Sequence, residues 1–349
     1  LLQKIVGNII GFDLNPLAVM AARTNYFIAI FNLLRYRDRI EIPIYLCDSI
    51  MTPSEYGDLF TGGDNKTRML KTCAGDFVIP NEIAKNREQV GRYTDTIELC
   101  IRQDYSADEF LGYCRQQGIP TGETETHKQL YRQMEALNKE NKNGIWARII
   151  KNAFAPLFVG KVDYVAGNPP WVNWESLPDG YRQSTAPLWQ EYDLFRHKGY
   201  RAKLGAGKDD LSILMTYVAH DVYLADGGRL GFLITQSLFK TVGGGEGFRT
   251  LQYKRNGKTF YLAPVIVHDL SDFQPFEKAT NRTAVIVVKK TRRVFKYPVR
   301  YITWWKSKSG RISPDMPLDE VLKNTVRKEF GAQPINADRL TSPWLTAPK

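Results

Sequence analysis

Asn168-Pro169-Pro170-Trp171 is the tetrapeptide in this sequence best suited to chemistry. Two prolines fix φ and withhold their N–H groups, so the backbone there is stiff and offers carbonyls without donors. Asn168 adds a side-chain carbonyl, and Trp171 adds a broad stacking face. Together they can hold a flat, amino-substituted ring, with two acceptors taking the amino hydrogens while the indole covers the ring. Giving up both hydrogens to acceptors draws the amino nitrogen toward sp³ character and exposes its lone pair to an electrophile. From these four residues alone, a proline-rich turn that caps a strand and packs a Trp is an equal alternative.

The elements that must position them can be read on either side. An apolar run over 5–12 reads as a buried strand and ends at Asp13. Leu14-Asn15-Pro16 then leads into an apolar-rich stretch over 17–31 that has no internal Pro or Gly. Pro16 suits a first helical turn, so the order is strand, acid, turn, helix. Residues 41–46 give a second strand with Asp48 just past its end, and 162–166 give a third that runs into the Asn-Pro-Pro-Trp segment. Strands alternating with helices imply an α/β fold with a parallel sheet and ligand groups at the carboxyl ends of its strands. In such a site Asp13 meets ribose hydroxyls, Leu14 walls an adenine and Asp48 meets the adenine edge. Singly, each acid reads more readily as a helix cap or turn residue. Their recurrence at three successive strand ends is what favours a site.

Residues 52–160 interrupt the alternation. They are polar, with weak helical spacing such as Leu130, Met134 and Leu137, and are too long for a plain loop, so a mostly helical insertion is expected. After the Trp, a helix is expected over 211–224 with Leu211, Leu214, Met215, Val218 and Val222 on one face. Asp226-Gly227-Gly228 supplies a turn, and strands follow over 229–235, 265–270 and 283–289.

Several segments resemble the motifs of DNA adenine-N6 methyltransferases. Gly11-Phe12-Asp13-Leu14-Asn15-Pro16, Leu46-Cys47-Asp48-Ser49 and Asp163-Tyr164-Val165-Ala166-Gly167-Asn168-Pro169-Pro170-Trp171 resemble motifs II, III and IV. Asp210-Leu211 with the helix that follows, then Gly227-Gly228-Arg229-Leu230-Gly231-Phe232-Leu233-Ile234, look like motifs V and VI. Phe273-Gln274-Pro275-Phe276 leading into residues 283–288 is similar to motif VIII. The order is that of the γ class, and the long insertion resembles large type IIG restriction–modification and BREX-type methyltransferases.

The resemblance implies a Rossmann-like, class I S-adenosyl-L-methionine-dependent fold. Its core would lie in 1–51 and 161–290, the helical insertion in 52–160, and the start of a target-recognition region in 291–349. Asp13, Leu14 and Asp48 with Ser49 would hold the cofactor. Asn168 and the Pro169 carbonyl would take the amino hydrogens of an adenine flipped out of double-stranded DNA, with Pro170 stiffening the segment and Trp171 stacking on the base. Phe276, and less directly Phe273, would meet the base, while Lys289 and Arg292 would meet the DNA. The implied setting is cytoplasmic restriction–modification or phage defence, with an upstream nuclease domain or defence-system subunits as companions. No Gly-rich motif I precedes Asp13, and about 60 residues follow motif VIII. The expectation is therefore a fragment that is inactive alone. Methylation of another amino group (RNA guanine N2, protein glutamine, cytosine N4) and a non-catalytic DNA-binding subunit are the rival readings.

Composition bears on the same question. Hydrophobic residues are 43% and charged residues 24%, a globular profile, and no run of eighteen apolar residues occurs, so neither a transmembrane helix nor a membrane partner is expected. Four cysteines without a CxxC pair and four scattered histidines give neither a disulfide framework nor a zinc site, and buried reduced thiols are expected. The net charge of +11 has one source. Residues 278–313 hold eleven of the 48 Lys and Arg and no acid, leaving 37 basic against 37 acidic residues elsewhere. Phe295, Tyr297, Tyr301, Trp304 and Trp305 alternate with those cations, a composition suited to a polyanion or, more simply, to a solvated strand pair. Gly243-Gly244-Gly245 lacks the Lys-Ser/Thr of a phosphate loop and reads as a mobile loop near the DNA.

Overall fold

The computed structural model describes residues 1–34, 40–51, 68–72, 75–85, 87–139, 150–196, 209–273, 276, 281–307, 312–313 and 315–348. Cys73, His197, Gln274, Pro275, Lys278, Lys308 and Arg311 lie outside them. The chain is mixed α/β and divides into two compact units, Leu1–Gly160 and Lys161–Lys349.

The first unit opens with helix α1 (Leu2–Asn8), strand β1 (Gly11–Asp13), helix α2 (Pro16–Leu34) and strand β2 (Ile44–Leu46). The strand expected over 5–12 is thus helix over its first half and strand only from Gly11. A short apolar run carries no period of its own, and tertiary contacts choose its state. Here the Tyr26 hydroxyl of α2 donates to the Ile5 and Ile9 carbonyls at 3.1 and 3.3 Å. Asn15 accepts from the Leu17 and Ala18 N–H groups and so caps α2, with Pro16 in its first turn. By length and composition α2 is apolar enough to cross a membrane, although Arg23 and two asparagines break its apolar run. Arg23 donates to the Ile44 carbonyl at 2.9 Å, tying α2 to β2, while Leu17, Met20, Ile28 and Phe31 are exposed.

The middle of this unit is a hairpin of β3 (Arg68–Thr72) and β4 (Gly75–Ile79), then helices α3 (Arg87–Arg102), α4 (Ala107–Gln116) and α5 (Thr124–Lys139). Each helix buries one face: Val90, Tyr93, Ile97 and Cys100 on α3; Phe110, Leu111 and Cys114 on α4; Leu130, Tyr131, Met134 and Leu137 on α5. Phe110 stacks on Tyr131 with ring centres 4.4 Å apart. A reciprocal Ser106–Glu109 capping box starts α4. Cys47, Cys100 and Cys114 are buried and unpaired, and burial pushes the Cys47 and Cys114 thiols up to about 12. Thiols of this kind are inert.

The second unit is built on β5 (Val162–Gly167), β6 (Leu224–Thr235), β7 (Gln252–Arg255), β8 (Lys258–Asp269), β9 (Thr283–Thr291), β10 (Val299–Lys306), β11 (Thr325–Pro334) and β12 (Trp344–Pro348). They form a mixed sheet in the order β12-β11-β10-β8-β9-β6-β5, with β7 paired to β8. Only β5–β6 and β8–β10 are parallel. β1 and β2 form their own parallel two-stranded sheet in the first unit, so the parallel strands expected in one sheet fall into separate ladders. β5 is the last strand of its ladder, and its Tyr164 is 75% exposed. Helices α6 (Asp179–Glu191) and α7 (Leu211–Val218) complete the site-bearing part. α7 is shorter than the helix expected over 211–224 because it passes into a π-helical turn, Ala219–Tyr223. Buried Lys290 holds that turn by donating to the His220, Asp221 and Leu224 carbonyls at 2.8–3.0 Å.

Candidate active site

In the first unit β1 and β2 run parallel in a register that sets Asp13 opposite Leu46, and the Cys47 N–H donates to the Asp13 carbonyl at 3.0 Å. Asp13 and Asp48 therefore stand at the carboxyl ends of neighbouring strands. Each makes the turn that its plainer reading anticipated. Asp13 Oδ1 accepts from the Asn15 N–H at 2.7 Å, and Asp48 Oδ1 accepts from the Ile50 and Met51 N–H groups at 2.7 and 3.1 Å. Asp13 is exposed, its Oδ2 makes no hydrogen bond with a described residue, and Leu14 beside it is 60% exposed. An open carboxylate oxygen next to an open apolar side chain is a donor set that fits a ribose and the face of its base. Ser49 is half-buried beside Asp48.

In the second unit β5 delivers the Asn-Pro-Pro-Trp segment. Gly167 pairs with Phe232, and a Cβ there would lie 3.1 Å from the Phe232 ring, so this close strand contact suits glycine. Asn168 is exposed and its amide makes no hydrogen bond with a described residue; Pro169 is buried and Pro170 exposed. Trp171 is half-buried, and its indole N–H donates to the Leu233 carbonyl at the end of β6, at 3.2 Å. Phe276 meets the Trp171 ring edge-on, with centres 5.9 Å apart and planes at 69°. The structure thus brings Asn168, Pro169, Pro170, Trp171 and Phe276 together. Phe273 goes elsewhere: it is buried and packs on Trp304 at 6.3 Å.

The basic tract separates into two populations. Lys289 is exposed at the end of β9. Lys290, counted with it as a surface cation, is 4% exposed, and burial, with Lys161 nearby, lowers its ammonium to about 8. Alternation along the strand explains this, since neighbours on a strand face opposite sides of the sheet. Arg292 is engaged with Asp226 at 2.7 Å and lies over the Phe260 ring, and Arg300 pairs with Glu329 at 2.8 Å. Tyr301 is buried and donates to Asp269 at 2.6 Å, so its ring is not open to a ligand. Gly243-Gly244-Gly245 wraps the buried Arg249 guanidinium, which donates to the carbonyls of Leu238, Thr241, Gly244 and Thr341. Gly245, at φ +79°, has no room for a Cβ beside the Leu238 carbonyl. The expected mobile loop is a turn closed around an arginine.

Sequence reading did not assign roles to Asp209, Asp210 or Thr235, which support the Asn-Pro-Pro-Trp loop from behind. Asp210 entered that reading only as part of the segment resembling motif V, and the local signal beside it was a pair of acids directly before an apolar helix, the pattern of an N-cap. Asp210 caps α7, accepting from the Ser212 N–H at 3.0 Å.

Among solved structures, the chain is similar to the ATP-dependent type ISP restriction-modification enzyme LlaBIII bound to DNA (12% identity, TM-score 0.34, 58% of this chain and 14% of that one). It is also similar to the type IIG restriction endonuclease BpuSI (14%, 0.31, 50% and 20%). A third is a nuclease-deletion mutant of the type ISP enzyme LlaGI in complex with a DNA substrate mimic (13%, 0.34, 60% and 20%). The matched region spans a fifth or less of each of those proteins, and TM-scores of this size do not establish a shared fold. No curated protein matches the chain. A family model described as Eco57I restriction-modification methylase matches residues 7–261, well over half of the 349, and the chain belongs to that family.

Proposed function

We propose that this chain carries the methyl-transfer core of a site-specific DNA methyltransferase that modifies the N6 amino group of an adenine flipped out of the duplex, within a restriction–modification or phage-defence system. One observation carries the reading: an exposed Asn168 amide and a Pro169-Pro170 backbone follow parallel strand β5, with Trp171 and Phe276 5.9 Å apart beside them. A Rossmann-like arrangement, with 1–51 and 161–290 as its two parts, 52–160 as an insertion and 291–349 as the start of a target-recognition region, belongs to the same proposal.

Asn168 Oδ1 and the Pro169 carbonyl accept the two amino hydrogens of the base. Pro170 adds no N–H that would compete for them. Trp171 covers one ring face, and Phe276 swings from its edge-on contact to admit the base. A purine buried in the stack presents no amino group to these acceptors, so extrusion precedes chemistry. Asp13, with Leu14 and Asp48, would hold the ribose and adenine of S-adenosyl-L-methionine, which supplies a methyl group on a sulfonium sulfur. The residues around the amino nitrogen contribute chiefly orientation, holding its lone pair outward and releasing one of its protons to solvent. Lys289 is an exposed cation of the tract open to a phosphate, whereas Arg292 is already paired with Asp226.

The full-length protein, DNA and tritiated cofactor provide the test, with the product digested to nucleosides. Label is expected in N6-methyladenine and is expected to fall by roughly 100-fold or more in Asn168→Ala. Label in RNA or protein in place of DNA would overturn the substrate assignment. No label anywhere would leave a DNA-binding subunit.

A further inference from the structure

An Asn-Pro-Pro segment has a difficulty of its own. Prolines donate no hydrogen bonds, and among the described residues none is made to the rest of 168–170, so the segment is anchored from its two ends. On the near side the anchor is the β5–β6 ladder, which ends at Gly167 opposite Phe232. On the far side the anchor is a short antiparallel bridge between Asn173 and Asp210. In it the Trp174 N–H donates to the Asp209 carbonyl at 2.9 Å, and the Leu211 N–H donates to the Val172 carbonyl at 2.8 Å. The loop is therefore placed by whatever places residues 209–211.

Those residues are held by two buried carboxylates. Asp210 is 5% exposed and reaches the carboxyl end of β6, where its Oδ2 accepts from the Thr235 hydroxyl at 2.9 Å. Its Oδ1 accepts from the Ser212 N–H and hydroxyl. The Ser237 hydroxyl donates to Thr235 at 3.2 Å, orienting that hydroxyl toward Asp210. Asp209, 3% exposed, accepts from the Gly245 N–H at 2.8 Å and so borrows the arginine-centred turn as a second support. Burial first, with the neighbouring Asp209 charge, raises the Asp210 carboxyl, and the Ser212 and Thr235 donors oppose it. A buried acid that keeps its donors is worth its desolvation only where its geometry matters.

We propose that Asp210 is the positioning residue of the Asn-Pro-Pro-Trp loop. Through Thr235 it fixes the loop to the end of β6, the same strand end that receives the Trp171 indole. Its carboxylate is buried and turned to protein donors. Removing its link lets the Asn168 and Pro169 acceptors drift relative to Trp171, and a misplacement of about 1 Å costs on the order of 100-fold in rate. This role rests on the methyltransferase reading above.

The test uses the full-length protein with Asp210→Ala, Thr235→Val, Thr235→Ser and Asn168→Ala, comparing kcat with KM for DNA and for S-adenosyl-L-methionine. Thr235→Val, which keeps shape and removes one hydroxyl, is expected to lower kcat roughly 10- to 100-fold, with both KM values within about twofold. Thr235→Ser is expected to restore the hydrogen bond and the rate. Asp210→Ala is expected to be at least as impaired as Thr235→Val, and if it fails to fold, the Val and Ser pair decides. An unchanged kcat in Thr235→Val, or a loss seen only in KM, would overturn the proposal. Wild-type methylation by Asn168→Ala would instead overturn the functional reading itself, so the two failures are distinguishable.

Discussion

His220 shows how a residue that sequence inspection set aside acquires a role once its surroundings are known. It is fully buried in the π-helical turn, with Nδ1 3.1 Å from the Tyr253 hydroxyl and Lys290 close by. Burial first, and then the Lys290 charge, push its imidazole down to about 3. An unfolded histidine binds its proton near pH 6.5, so between 6.5 and about 3 the unfolded chain takes up a proton that the folded chain refuses. Stability from this residue is therefore complete above 6.5 and is lost as the pH falls. Between pH 6.5 and 5, where carboxylates are still ionised, the expected loss is about 2 kcal/mol, at ~1.4 kcal/mol per unit. Urea unfolding at these two pH values checks it: His220→Gln should flatten the difference, and an undiminished slope would place the proton elsewhere. Lys290 carries the same lesson. In the sequence it is one of eleven basic residues, but in the fold it is a cap. Nothing in a Lys-Lys pair says which member faces inward until the register is known.

At the level of elements, what could be read depended on whether the signal was local. The four residues from Asn168 to Trp171 and the apolar stripe of α5 were legible because stiffness and helical period are properties of the chain itself. Asn256-Gly257 was also legible in principle. Both residues adopt positive φ and close a two-residue hairpin between Arg255 and Lys258, a connection that an Asn-Gly pair favours. That hairpin is why β8 starts at Lys258, well before the apolar stretch at 265. The clamp behind the site was not legible, because Asp210 meets Thr235, and Asp209 meets Gly245, only after the strand and helix between them have packed. In the helical region, energetics should follow packing more than capping. Phe110→Ala removes a fully buried ring stacked on Tyr131 and is expected to cost about 3–5 kcal/mol, whereas Ser106→Ala removes a cap worth ~1 kcal/mol. Denaturant unfolding of both variants tests that ranking, and equal losses would contradict it.

At the scale of the whole molecule, each of the two compact units carries its own candidate residues. The first holds the carboxylates at the ends of β1 and β2, and the second holds the acceptors and rings after β5. The net charge of +11 is less of a binding surface than its size suggests, since Lys290 is spent inside the fold and Arg292 and Arg300 are paired. The end of the large sheet has a practical consequence for anyone handling the protein. A terminal strand offers a row of unpaired amides and carbonyls, and natural sheets blunt such rims with charge, proline or a covering element. β5 has a broad Tyr164 ring at its rim, and Asp163 is its one charged residue between Val162 and Gly167. Rim-to-rim pairing between copies is thus the expected route to self-association in concentrated solution. Light scattering should show assembly that rises with concentration and that Tyr164→Lys suppresses; assembly indifferent to that substitution would send the search for a sticky surface to the exposed side of α2.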